Sequence, residues 1–219
     1  MSSTSAAWAL GSVWPGLVKI LALSDRVVPF VNSPEVAKTM AGVNLVLGCG
    51  DLPASYLEYV LTALNVPLAY VPGNHDADLM QVPGGVGVDD RLVKLAGVRV
   101  LGLGGSVRYK PNGRHQYTEA EMNARVMRKL IRMLPSILLG RSAFDILLTH
   151  SPARGVHDGP DPAHQGFRAF RRLLAWGKPS LMVHGHTHAV RNLEITETRF
   201  GRTRILNVFP YRLIDWEPG

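Results

Sequence analysis

The chain has 219 residues, 46% hydrophobic and 19% charged, a balance that suits one soluble globular core and is short for two. No run reaches the roughly 18 apolar residues of a membrane-crossing helix. Cys49 is the single cysteine, so no internal disulfide forms and a cytoplasmic location is expected. The net charge of +7 favours anionic partners, with a small phosphorylated molecule ahead of nucleic acid and no membrane association.

Residues 1–16 read as a loose N-terminal arm, and 17–219 as one domain. The arm is no convincing signal peptide: no basic residue precedes Lys19, and Gly11, Pro15 and Gly16 interrupt its apolar stretch. "LVKILALS" (17–24) is a short apolar run read as a buried strand. Ser33-Pro34 has the form of a helix cap followed by proline at the first helical position. "NLVLGCGD" (44–51) is a second buried strand, and "PASYLEYVLTAL" (53–64) has helical spacing. "VPLAYVPGNHD" (66–76) is a third strand that ends in a turn. "DDRLVKLAGVRVLGLGGS" (89–106) reads as a hairpin turning near Ala96-Gly97.

A helix is predicted from Thr118 to Leu134, with Glu121 placed for a capping box. "DILLTHS" (145–151) is another buried strand, and "QGFRAFRRLLAW" (165–176) an amphipathic helix stopped by Gly177 and Pro179. "SLMVHGHTH" (180–188) is a strand that ends in histidines. The alternating segment 192–209 reads as a hairpin across Phe200-Gly201. No linker divides the chain.

Five apolar strands thus end at polar residues able to bind metal: Asp25, Asp51, Asn74, His150, and the pair His186 and His188. In sheets built from strand–helix–strand units, the carboxyl ends of strands share one edge, and ligands bind there. One polar strand end means little. Five of one chemical type point to a shared site for zinc, iron or manganese, with manganese favoured.

These residues resemble, in kind and order, the calcineurin-like metallophosphoesterase superfamily. The matching pieces are Asp25 after the first strand, Gly50-Asp51, "GNHD" at 73–76, the lone His150, and "GHTH" at 185–188; "LGLGGS" and "NVFP" are similar as well. The resemblance implies an α/β fold of four layers, αββα, with two packed mixed sheets flanked by helices. It also implies a binuclear metal centre. Asp51 would bridge both ions, Asp25 and His188 would bind the first, and Asn74, His150 and His186 the second. A metal-bridging hydroxide would attack phosphorus, and His75 would stabilise charge and protonate the leaving oxygen.

The chain departs from that pattern twice. The first motif of the family is Asp-x-His, and this chain has Val27 where the histidine belongs. Water, or a side chain from the loop bearing His157, Asp158, Asp161 and His164, would fill the place; otherwise only one metal binds. Many relatives also carry an acid at the position of Ala54, where it orients the catalytic histidine. Asp76 is its only local substitute.

Arg154 and His157, on the loop after His150, are the candidate substrate-phosphate ligands. Cys49 reads as a core residue rather than a nucleophile. The expected function is a metal-dependent phosphodiesterase acting on a small phosphoester. The alternatives are a phosphomonoesterase or protein phosphatase, a nuclease, and a scaffold that has lost its chemistry. A homodimer is compatible with the sequence.

Overall fold

The computed structural model describes residues 16–78, 80–188 and 195–217. All but the last residue of the expected arm therefore lies outside the described residues. The strands in chain order are β1 (Val18–Leu23), β2 (Leu45–Gly48), β3 (Leu68–Tyr70), β4 (Val86–Gly87), β5 (Arg91–Leu95), β6 (Val98–Leu103), β7 (Ser106–Val107), β8 (Gln116–Tyr117), β9 (Ile146–Thr149), β10 (Leu181–His184), β11 (Glu197–Phe200), β12 (Thr203–Asn207) and β13 (Tyr211–Trp216). The helices are α1 (Val36–Thr39), α2 (Ala54–Leu64), α3 (Glu119–Arg132), α4 (Leu134–Leu138) and α5 (Arg168–Gly177).

Two large sheets form, in the orders β13-β1-β2-β3-β4 and β11-β12-β10-β9-β6-β5, with β7 and β8 as a separate ribbon. β1 to β4 run parallel, and so do β6, β9, β10 and β12. The edge strands β13, β5 and β11 are antiparallel to their neighbours.

Strand alternation explains the layering. Ile20, Ala22, Leu45 and Leu47 of the first sheet meet Val100, Ile146, Leu148, Leu181 and Val183 of the second in a central core. The intervening residues Leu21, Leu23 and Val46 pack outward on α1 and α2. Leu101, Leu147 and Met182 pack outward on α3 and α5. Both faces of these strands are covered, which is why they read as unbroken apolar runs. The result is the expected four-layer αββα arrangement.

Local signals account for most element ends. Thr118 and Glu121 make the reciprocal capping box that starts α3. Ala96 and Gly97 both take positive φ, 49° and 82°, in the two-residue turn between β5 and β6. Asn65 and Lys178 end α2 and α5 in the left-handed conformation.

Three ends differ from the sequence reading. Ser33 does not cap a helix: its hydroxyl donates to Phe30 O at 2.8 Å, and α1 starts only at Val36. α5 starts at Arg168 rather than Gln165, and its cap comes from another helix. The Glu119 carboxylate accepts from Arg168 N and Ala169 N at 3.0 and 2.7 Å. β13 was not expected at all; it pairs antiparallel with β1 along the sheet edge.

The parallel topology sends the strand ends to one side of the molecule, where backbone bonds tie the loops together. Asp25 N donates to Gly50 O at 3.1 Å, Gly185 N to His150 O at 3.0 Å, and Val208 N to His184 O at 2.9 Å. The second of these joins two ligand-type loops directly.

Candidate metal centre

Each candidate side chain sits one to a few residues past a parallel strand, where the chain turns sharply. Asp25, Asp51 and His186 hold φ values of 61°, 56° and 65°, a region that costs free energy for residues with a Cβ and clusters at functional sites. The adjacent glycines are required by close approach. A methyl group on Gly73 would overlap the Asp51 carboxylate, and one on Gly185 would overlap Ser24 Oγ and Asp25 Oδ2. The glycines before Asp51, Asn74 and His186 are therefore steric requirements.

The donor atoms converge. His150 Nε2 lies 3.0 Å from Asn74 Oδ1, 3.1 Å from His186 Nδ1 and 3.4 Å from Asp51 Oδ2. Atoms of Asp25, Asp51 and His150 fall within 4.8 Å of one another. His188 Nε2 stands 3.4 Å from Asp25 Oδ1, and its ring stacks on Phe209 at 4.4 Å.

The outer nitrogens of the buried histidines are committed elsewhere. His150 Nδ1 is 2.8 Å from Cys49 O, and His186 Nε2 is 2.6 Å from Ala163 O. A carbonyl can only accept, so each outer nitrogen carries a proton and each inner nitrogen faces the cluster; the inner nitrogen of His150 gives up its proton when metal binds. That is how protein frameworks orient metal-binding imidazoles.

Electrostatics agree with this arrangement. Burial alone would lower the His150 value, but the Asp51 and Asp25 carboxylates reverse that and raise it to about 9. Burial would raise Asp25, but hydrogen bonds from His188, Ser24 and the His186 N–H, together with the charge of His150, bring it to about 2. Burial and the neighbouring His150 push His186 down to about 4. A buried histidine that holds a proton between two carboxylates marks a place that demands positive charge. The donor set of carboxylates, an amide oxygen and imidazoles fits a divalent cation of the zinc, iron or manganese type.

Asp76 does not take up the role left open at Ala54. Its Oδ2 accepts from Asp51 N and Gly73 N, both at 2.8 Å. It locks two strand-end loops to each other and makes no hydrogen bond to the His75 ring. His75 N donates to Asp51 Oδ1 at 2.8 Å, while the His75 ring is exposed at the mouth and makes no hydrogen bond among the described residues.

Val27 is half-buried and packs into the apolar cluster beneath α1 and α2. The place of the first-motif histidine is thus given to packing. From the loop after β9, His164 lines the same cavity as Asp25, Asp51, Asn74, His186 and His188. Its Nδ1 is 2.9 Å from both Asp161 carboxylate oxygens, so its Nε2 remains available.

Arg154 and His157 are not brought to this cavity, contrary to the sequence expectation. Arg154 Nε sits 3.6 Å from Asp158 Oδ2. His157 points inward, 3.1 Å from His184 Nε2 and 2.8 Å from Thr198 Oγ1. Its backbone holds a positive φ, 58°. Cys49 is fully buried in the central core, and burial raises its thiol well above the usual range.

Two adjoining cavities of about 370 and 410 Å³ share Asp51 and His75. The first holds the donor cluster together with Tyr109. The second is lined by Leu52, Pro53, Ala54, Ala77 and Met80. Tyr109 lies outside the sequence pattern because the pattern consists of Asp, Asn and His at strand ends, and the segment 108–115 bears no motif of its own.

The architecture has solved counterparts. TT1561 of Thermus thermophilus superposes with a TM-score of 0.61 at 18% identity, covering 88% of this chain and 89% of that one. A second crystal structure gives 0.64 at 16% identity, covering 91% and 95%. At these identities the likeness establishes the fold alone. No curated protein matches the sequence. The sequence itself matches the family model for the calcineurin-like phosphoesterase superfamily domain over residues 19–208, a span that contains all six candidate metal ligands. With fold, donor cluster and sequence in agreement, the chain belongs to the calcineurin-like phosphoesterase superfamily and is a metal-dependent phosphoesterase.

Proposed function

We propose that this protein hydrolyses phosphodiesters of small molecules at the clustered strand ends. Asp51 would be shared between two divalent ions, manganese favoured. Asp25 and His188 would complete one site, and Asn74, His150 and His186 the other. Bound there, the ions supply Lewis acidity and activate water at neutral pH.

The chain's own residues do the rest. Cys49 O and Ala163 O fix the tautomers of His150 and His186. Asp76 holds the Asp51 and Gly73 loops in register. His75, exposed beside Asp51, is placed to donate a proton to the departing oxygen. Its backbone N–H is anchored on Asp51, while its ring has no orienting acid among the described residues.

The observation that supports a diester is the position of His75 and Asp51 between two cavities of unlike character. The cavity with the donor cluster suits the phosphoryl group. The neighbouring one, walled by Leu52, Ala54, Ala77 and Met80, suits an apolar ester substituent on the side of the proton donor.

The test is parallel hydrolysis of bis(p-nitrophenyl) phosphate and p-nitrophenyl phosphate by manganese-loaded protein. Preference for the diester, with a loss of roughly 10²–10⁴-fold in His75→Ala, is the expected result. Preference for the monoester would overturn the diester reading, and undiminished turnover in His75→Ala would overturn its role.

A further inference from the structure

Tyr109 belongs to none of the motifs that define this site, yet its hydroxyl reaches into it. The phenol oxygen accepts a 3.1 Å hydrogen bond from Asn74 Nδ2. The other end of the same amide, Oδ1, is held separately by His150 Nε2 at 3.0 Å. A phenol has one proton to give and lone pairs to receive. Having accepted from Asn74, Tyr109 keeps its own O–H, which donates to no protein group among the described residues. Tyr109 lies in the wall of the cavity formed with Asp25, Asp51, His75 and His188.

The position is firm rather than incidental. Tyr109 lies between β7 and β8, and the buried Gln116 side chain accepts from Tyr109 N and Lys110 N at 3.2 and 3.1 Å. Arg108 clamps the start of the segment, donating to Gln116 O and to the Glu121 carboxylate. His115 Nε2 meets Ala77 O at 3.1 Å, which seats the segment on the loop that carries Asn74 and His75. A hydroxyl fixed by a neighbour's backbone and side chains is preorganised, and preorganised donors gain most where anionic charge is bound.

We propose that Tyr109 is a substrate-contacting residue whose O–H donates to a non-bridging phosphoryl oxygen of the bound ester or of the phosphate product. This rests on the phosphoesterase reading of the site. Two roles follow from one oxygen: it receives from Asn74 and donates to the anion.

Tyr109→Phe removes that oxygen and little else. Inorganic phosphate binding is measured by calorimetry on the manganese-loaded wild-type and variant proteins, with bound manganese counted in parallel. The expected result is unchanged manganese content and a melting temperature close to wild type. Phosphate affinity falls about 10- to 100-fold, the weight of one hydrogen bond to a charged group. KM for the diester should rise with it.

Equal phosphate affinity in the two proteins overturns the proposal. A parallel fall in manganese content also overturns it, because Tyr109 would then act only by positioning Asn74. If the manganese-loaded wild type itself binds no phosphate and hydrolyses no ester, the phosphoesterase reading fails first, a result distinct from the other two.

Discussion

Asp76 makes the sharpest structural prediction. It is buried, and burial raises its carboxyl above the usual carboxylate range despite two backbone donors. Its Oδ2 accepts from Asp51 N and Gly73 N at 2.8 Å each. Asp76→Ala leaves both N–H groups without a partner. An unsatisfied buried donor costs about 1–3 kcal/mol; at about 1.5 kcal/mol for each of the two, the sum is about 3 kcal/mol. For a chain of this size that corresponds to a fall in Tm of roughly 6–12 °C.

Asp76→Asn keeps an oxygen able to accept both bonds and should cost under about 1 kcal/mol. Urea and thermal unfolding of metal-free protein read both variants directly. If Asp76→Ala melts within about a degree of wild type, far inside the expected fall, the carboxylate does not hold these loops. If Asp76→Asn falls as far as Asp76→Ala, charge rather than acceptor geometry is responsible.

Further outcomes follow from the same geometry. Raised to about 9 against an ordinary 6.5, His150 carries a proton in metal-free protein at neutral pH, so manganese must displace it; proton release on titration in weak buffer, and affinity that rises from pH 6 to pH 9, are expected. By the same sign, the stabilisation from His150 in metal-free protein is complete below about 6.5 and lost as pH rises through about 9, which unfolding at graded pH will show as lower stability at the alkaline end. His164→Ala should weaken manganese binding with little change in Tm in the metal-free state, since the half-buried His164 side chain hydrogen-bonds only Asp161 among the described residues; unchanged affinity in an equilibrium titration would rule His164 out as the replacement for the missing first-motif ligand. Gly185→Ala forces a methyl into Ser24 and Asp25, and should lose about 1–3 kcal/mol together with bound metal, measured by unfolding and elemental analysis.

Much of this was legible in the sequence because each strand is short, buried on both faces and stopped by a polar residue. Such a segment announces its core and its end together, and that placed Asp25, Asp51, Asn74, His150, His186 and His188 on one edge. The helix at 119–132 was legible for a local reason, its capping box. β13 was not, because its burial alternates but its apolar residues do not: Tyr211 and Leu213 lie on the exposed face. The start of α5 was not, because its cap is supplied by Glu119, some fifty positions earlier.

At the site, the failures share one cause. His157 and His164 lie on the same loop with the same chemistry, and only tertiary packing decides that one turns inward to His184 while the other faces the cavity. Tyr109 reaches Asn74 across 35 positions of sequence, a contact that no local pattern encodes. Val27 illustrates the converse: its apolar character was plain, and the structure supplies the reason, since it packs beneath α1 and α2.

The account depends on the strand-end cluster holding metal. Protein stripped with chelator, dialysed, and titrated with manganese should take up two ions per chain, and Asp51→Asn, which alters the carboxylate shared by both sites, should lose them. Wild-type protein that takes up none, or Asp51→Asn that binds as wild type does, would contradict it.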